Sequence, residues 1–207
     1  MRYLSNYSTG YMGAQLAAEA LRRGHRVTVI SGPVTEPLPA GARVVRIERV
    51  RELERELRRQ ARRADAVIMA AAVADYEPVR AAAKKLRRQG TLTMALRATP
   101  DVIGRLPRRR GQVVAGFALE TAPVVLRAAR KLREKRLDVL IAQQAGSPLR
   151  ARRASGPFGR SAVRAWLLER GRTAVALGQI SKPRIARALL DKLESLWYRQ
   201  PHATRGR

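Results

Sequence analysis

Cysteine is absent from this 207-residue chain, and histidine occurs only as His25 and His202. The first absence excludes a disulfide scaffold, a thiolate zinc site and a cysteine nucleophile. The second all but excludes a multi-histidine metal site or a histidine-based triad. Acidic residues are scarce, 16 Asp plus Glu against 43 Lys plus Arg, which leaves a formal charge of +27. Aromatic residues make up only 4%, so few side chains are available for stacking on bases. The longest apolar run, Ala66 to Ala74, is too short to span a bilayer. The start, Met1-Arg2-Tyr3-Leu4-Ser5-Asn6, lacks the apolar core of a secretory signal. A cytoplasmic protein away from membranes is the expectation.

What remains is ordinary for a globular chain. Hydrophobic residues are 45% of the total, too many for a disordered protein. The length suits one α/β domain over residues 1–198, with a basic, frayed tail at 199–207. The positive charge is almost all arginine; the lysines are Lys84, Lys85, Lys131, Lys135, Lys182 and Lys192. A nucleic-acid binder is one reading of such a balance. The arginines are spread along the chain, and no helix-turn-helix, zinc finger or RNA-binding aromatic motif accompanies them. Solvated faces written in arginine explain the charge with fewer assumptions.

Hydrophobic periodicity orders the chain. Tyr11 to Arg23 is an amphipathic helix closed by Gly24. Arg26 to Ile30 and Val44 to Ile47 are strands, and Arg49 to Arg63 is a charged helix with Val50, Leu53 and Leu57 on one face. Ala66 to Met69 is apolar on both faces, as a central parallel strand would be. Leu92 to Leu96 alternates as an outlying strand. Pro100 to Ile103 reads as the start of a short helix, with proline in its first turn. Val113 to Phe117, Ala122 to Arg136 and Val139 to Ala142 continue the strand–helix–strand alternation. Such alternation predicts a parallel sheet covered by helices on both sides, a Rossmann-like α/β fold. Its usual leading strand is missing or very short, because the first loop starts within a few residues of Met1. Gly146 to Gly159 is a basic loop. Val163 to Leu168 and Thr173 to Leu177 flank a hairpin turn at Arg170-Gly171-Arg172. Ser181 is placed to cap a final helix from Lys182 to about Trp197.

Several segments carry chemistry. In Ser5-Asn6-Tyr7-Ser8-Thr9-Gly10-Tyr11-Met12-Gly13, small polar residues lead into a helix N-terminus, which suits an anionic oxygen. A plain capped turn is the alternative. Ala70-Ala71-Ala72-Val73-Ala74-Asp75 follows a parallel strand at the end where α/β proteins bind ligands. There Asp75 is either a ligand to a hydroxyl or a metal ion, or a solvated turn residue. Lys84-Lys85-Leu86-Arg87-Arg88 is a cationic lid for phosphates or a solvated turn. Phe117 stacks on a base or belongs to the core. Lys131 and Lys135 share one helix face, and lysine in a chain that prefers arginine suggests a compact charge.

In this order the segments RYLSNYSTGYMG, SGPV, ADAVIMAAAVADY, ATPDVIG, GFALET, RKLREKRLDVLIA and ISKPRIA resemble the phosphopantothenoylcysteine synthetase (phosphopantothenate–cysteine ligase) family, from Arg2 to about Leu196. That domain also forms the C-terminal part of the bifunctional DNA/pantothenate metabolism flavoproteins. The resemblance implies ligation of 4′-phosphopantothenate to L-cysteine through an acyl-nucleotidylate, with CTP as co-substrate and Mg²⁺, in a homodimer. It implies Asn6 as the residue that holds the acyl-nucleotidylate and Lys85 as the lid lysine of nucleotidyl transfer. Arg2, Gly10, Gly13, Met69, Ala70, Ala71, Asp75, Pro100, Asp101, Val102, Ile103, Phe117, Lys131 and Lys135 fall on its remaining binding positions, and Met12 on its loop. Departures are visible. Members have a strand and a Gly-Thr loop ahead of Arg2, Ala-Asn-Asp where this chain has Ala142-Gln143-Gln144, and Lys-Ile-Lys-Lys where it has Lys85-Leu86-Arg87-Arg88. The flavin-binding decarboxylase half is absent from these residues, so no FMN is expected and a separate decarboxylase polypeptide is a candidate partner. An incomplete, non-catalytic nucleotide-binding homologue is the alternative reading.

Overall fold

The computed structural model describes residues 5–6, 8–80, 90–145 and 159–199. Arg2, the segment Lys84 to Arg88 and most of the loop after Ala145 lie outside the described residues. So does the tail beyond Arg199.

The elements in chain order are α1 (Tyr11–Arg22), β1 (Thr28–Ser31), β2 (Arg43–Arg46), α2 (Val50–Ala61), β3 (Ala66–Met69), β4 (Tyr76–Pro78) and β5 (Leu96–Ala98). They continue with β6 (Val113–Glu120), α3 (Val124–Glu134), β7 (Val139–Gln144), β8 (Val163–Glu169), β9 (Val175–Ile180) and α4 (Lys182–Tyr198). A five-stranded sheet runs in the order β3-β6-β7-β8-β9. Its first three strands are parallel, while β8 and β9 are antiparallel to their neighbours. The expected α/β sheet flanked by helices, with its C-terminal hairpin and helix, is therefore present in mixed form. β1 and β2 form a separate parallel pair, and β4 and β5 a short antiparallel ribbon.

Alternation along β6 divides the core. Val114 and Ala118 point to one face, where Leu53, Leu57 and Ala61 of α2 meet Val124, Ala128 and Leu132 of α3. Each helix contributes residues four apart, the spacing that keeps one stripe against a sheet. Val113, Ala115 and the partly buried Phe117 point to the other face, under Leu16 of α1 and Ile185, Leu189, Leu190 and Leu193 of α4. Gly116 sits where a Cβ would lie 2.7 Å from Leu137 Cδ1, so any larger residue there would force the Leu137 side chain to shift. The α1 terminus closes as the sequence implies. Gly24 takes φ +81° and its N–H donates to Leu21 O, while the His25 N–H donates to Ala20 O.

Four expectations are corrected. Ala66–Met69 has the expected bounds, but among the described residues β3 is paired with β6 alone and lies at the edge of the larger sheet rather than at its centre. The outlying strand is Leu96–Ala98, not Leu92 to Leu96, because its register follows Tyr76–Pro78 across the ribbon. Pro100 to Ile103 opens a turn instead of a helix. The Asp101 carboxylate accepts the Gly104 N–H at 3.1 Å, closing the turn after three residues and sending Val102 and Ile103 into the core. Ser181 is the residue before α4 with extended backbone angles, but its hydroxyl makes no capping bond.

Candidate functional site

The C-terminal ends of β3 and β6 open onto three loops that hydrogen bonds tie together. Asn6 Nδ2 donates to Val73 O at 2.9 Å, joining the segment before α1 to the loop after β3. From the other side, Thr99 Oγ1 donates to Ala74 O at 2.6 Å and the Thr99 N–H donates to Asp75 O at 2.9 Å. Pro100 and Asp101 follow directly, and Lys135 Nζ reaches Asp101 Oδ1 at 2.9 Å. Asn6, the 70–75 loop, the 100–103 turn and Lys135 therefore form one continuous rim. An open cavity of about 530 Å³ adjoins it, lined by Thr99, Pro100, Arg51, Arg97 and Arg105 among others. Three guanidinium groups stand there beside the carboxylates of Glu54 and Glu77, and Glu77 already holds Arg97 at 2.9 Å, so the lining is of mixed charge.

The two lysines on α3 behave alike. Lys131 Nζ lies 2.5 Å from Glu120 Oε1, at the last residue of β6, and Lys135 pairs with Asp101. Burial raises the Asp101 carboxyl, but the Lys135 ammonium and the Gly104 N–H outweigh it and hold the group below the usual aspartate range. A carboxylate holds each ammonium group in place, so both cations are oriented.

The loop ahead of α1 is built on backbone constraint. Gly10 has φ +82°, and a Cβ there would sit 2.7 Å from both Cβ and Cγ1 of Val34. The Tyr11 N–H donates to Thr9 Oγ1 at 3.2 Å, and Thr9 O accepts the Glu36 N–H at 3.0 Å. No acidic residue stands in the first turn of α1 to neutralise its N-terminus. A Cβ on Gly13 would meet nothing described within 4 Å, so the first helical turn is open on that side.

Not all of the expected residues converge. Met69 packs toward the α2–α3 face and Ala70 toward the α1–α4 face, leaving their backbone at the rim. Val102 and Ile103 are buried, so they offer backbone only. Phe117 lies on the sheet face opposite Lys131 and Lys135. Arg2 and Lys85 lie outside the described residues. Thr99 and Glu120, which the sequence reading passed over, are central here. The first is the residue in front of the Pro100 turn, and the second ends the GFALET strand.

Sequence relatives include a cysteine/cysteine sulfinic acid decarboxylase from an unknown prokaryotic organism, 30% identical over 95% of this chain and 54% of that protein. The coenzyme A biosynthesis bifunctional protein CoaBC of Escherichia coli strain K12 is 35% identical over 72% of this chain and 38% of that protein. The chain thus spans about half the length of the first and just over a third of the second is aligned. Among solved structures, the C-terminal domain of CoaBC superposes with a TM-score of 0.75 at 24% identity, over 96% of this chain and 88% of that one, a likeness of fold. The DNA/pantothenate metabolism flavoprotein C-terminal domain family matches residues 1–196, and the chain belongs to that family.

Proposed function

We propose that the chain is a phosphopantothenate–cysteine ligase of coenzyme A biosynthesis that uses CTP, works in the cytoplasm and acts as a homodimer beside a separate decarboxylase polypeptide. The observation that carries this reading is the continuous rim from Asn6 through the 70–75 loop to Thr99, Asp101 and Lys135. It gathers polar backbone, one amide and an oriented ammonium at a sheet edge, within a chain of the matching family.

The chemistry asks for no enzyme nucleophile. The substrate carboxylate attacks the α-phosphorus of CTP; a new P–O bond forms, the bridging P–O bond breaks, and pyrophosphate leaves. The cysteine amine then attacks the acyl carbon, loses a proton and expels CMP. Catalysis of both steps reduces to positioning and to stabilising negative charge as it shifts. Lys131 and Lys135, with Lys85, would meet the phosphates, and Asn6 would hold the acyl-nucleotidylate while cysteine attacks. Among the described residues no group of three or more His, Asp or Glu gathers to hold an ion. Mg²⁺ would arrive on the triphosphate oxygens, where it would offset phosphate charge.

The test is direct. Purified protein receives CTP, MgCl₂, phosphopantothenate and cysteine, and pyrophosphate and the ligated product are measured. Release above a Lys85→Ala control supports the reading; release no greater than that control, from folded protein, refutes it. Asn6→Ala is expected to keep pyrophosphate release and to slow product formation on the order of 100-fold. A second reading, a nucleotide-binding homologue without turnover, is favoured by one feature, the separation of the β1–β2 pair from the main sheet. CTP binding by calorimetry without pyrophosphate release would select it.

A further inference from the structure

Lys182 is out of place by ordinary rules. It is 2% exposed, a state lysine almost never adopts without compensation. It also occupies the first residue of α4, where the helix dipole disfavours a cation. Burial lowers its ammonium to about 8, so at neutral pH the fold carries the cost of a desolvated charge.

Its neighbourhood gives a reason for it. Lys182 Nζ lies 5.9 Å from the centroid of the Tyr11 ring, and Arg160 Cζ lies 5.2 Å from the same centroid. Arg160 also pairs with Glu36 at 3.1 Å, and the Glu36 N–H holds Thr9 O. At the far ends of the helices, Arg23 reaches Asp191 and Glu194 on α4, at 2.8 and 3.0 Å. Helices α1 and α4 therefore run parallel, with Tyr11 and Lys182 at one end and Arg23 and Glu194 at the other. Tyr11 is the first residue of α1, immediately after the Ser8-Thr9-Gly10 turn and five residues from Asn6.

We propose that Lys182 is a positioning residue for the candidate site: with Arg160 it holds the Tyr11 ring by cation–π contact, and through that ring it fixes the start of α1 and the Asn6–Gly10 loop. Each contact is modest by itself, stronger where desolvated, as at Lys182. The two act on one ring at the point where the loop becomes a helix. A loop that moves by an ångström at a reacting centre costs far more than the contact is worth. This role rests on the ligase reading for its catalytic consequence but not for its structural one.

The experiment uses the full chain with Lys182→Met, Lys182→Arg, Tyr11→Leu and the Met/Leu double variant. Single-turnover reactions separate pyrophosphate release from product formation, and amide hydrogen exchange follows residues 9–14. Lys182→Met is expected to slow product formation on the order of 10- to 100-fold, with pyrophosphate release changed much less. Its exchange over residues 9–14 quickens while exchange in β6 and β7 stays the same. Lys182→Arg restores most of the loss, and the double variant is no slower than either single one. Equal loss in both half-reactions, or additive losses, would overturn the positioning role, since general destabilisation predicts both. Unchanged exchange over residues 9–14 would overturn it regardless of turnover. If the unmodified chain releases no pyrophosphate, the ligase reading falls, and exchange alone decides whether Lys182 holds the loop.

Discussion

Replacing Gly10 by alanine tests the loop at its tightest point. Two independent costs arise. A residue with a Cβ in the left-handed region costs about 1–2 kcal/mol, and Gly10 has φ +82°. The new methyl would also sit 2.7 Å from two atoms of Val34, near the attachment of its side chain to the backbone. Those atoms cannot swing away as a side-chain tip does, so overpacking adds about 1–3 kcal/mol. Together the substitution is expected to cost about 2–5 kcal/mol, against a total domain stability of roughly 5–15 kcal/mol. The variant should fold, with a urea midpoint lower by about 1 M or more at an unchanged slope. Val34→Ala in the Gly10→Ala background removes Cγ1 but keeps Cβ, so it should return only part of the overpacking share and leave the backbone share, which a double-mutant cycle measures. A Gly10→Ala loss below about 0.5 kcal/mol, or no recovery with Val34→Ala, would refute both parts of this account.

Three further outcomes follow from buried groups. Leu189→Ala, at a side chain with no exposure, should cost about 2–5 kcal/mol by denaturant titration. Asp138→Ala removes the acceptor for the Val114 N–H, bonded at 2.7 Å, and should cost about 1–3 kcal/mol, whereas Asp138→Asn, which keeps an oxygen, should cost less. For Lys182 the folded value, about 8, is below the ordinary 10.5. The unfolded chain therefore binds the extra proton, the penalty is fully present below pH 8, and it is relieved as pH rises toward 10.5. The stability of Lys182→Met relative to the unmodified chain should therefore fall between pH 8 and 10.5; a constant or rising difference in thermal midpoint would contradict this.

Elements carried by local pattern were legible. β3 has the bounds expected of its β-branched stretch, and α2 and α3 show the four-residue stripes that their leucines and alanines spell out. Pairing across the chain was not legible. β5 begins where β4 offers partners, a register that Leu92 to Leu96 does not encode. The Pro100 turn looked like a helix start, since no local signal says that Asp101 will spend its carboxylate on Gly104 and Lys135. For the candidate site, the loop before α1 and the strand-end alanines meet at one end of the sheet, where Asn6 donates to Val73 O. Thr99 and Glu120 went unseen because their role depends on partners distant in sequence. Lys182 stood in the sequence only as the start of the final helix; its burial shows in the docking of α1 against α4.

That docking also constrains the order in which the molecule can be completed. Leu16 belongs to the same cluster as Ile185, Leu189 and Leu193, and the ion pair from Arg23 to Glu194 closes over 171 positions. During synthesis α1 emerges well before α4, the helix that packs against it. Until α4 has been made, α1 has only the sheet face to rest on, and a contact of such long sequence separation is slow to form. Loss of α4 should therefore be felt first at α1.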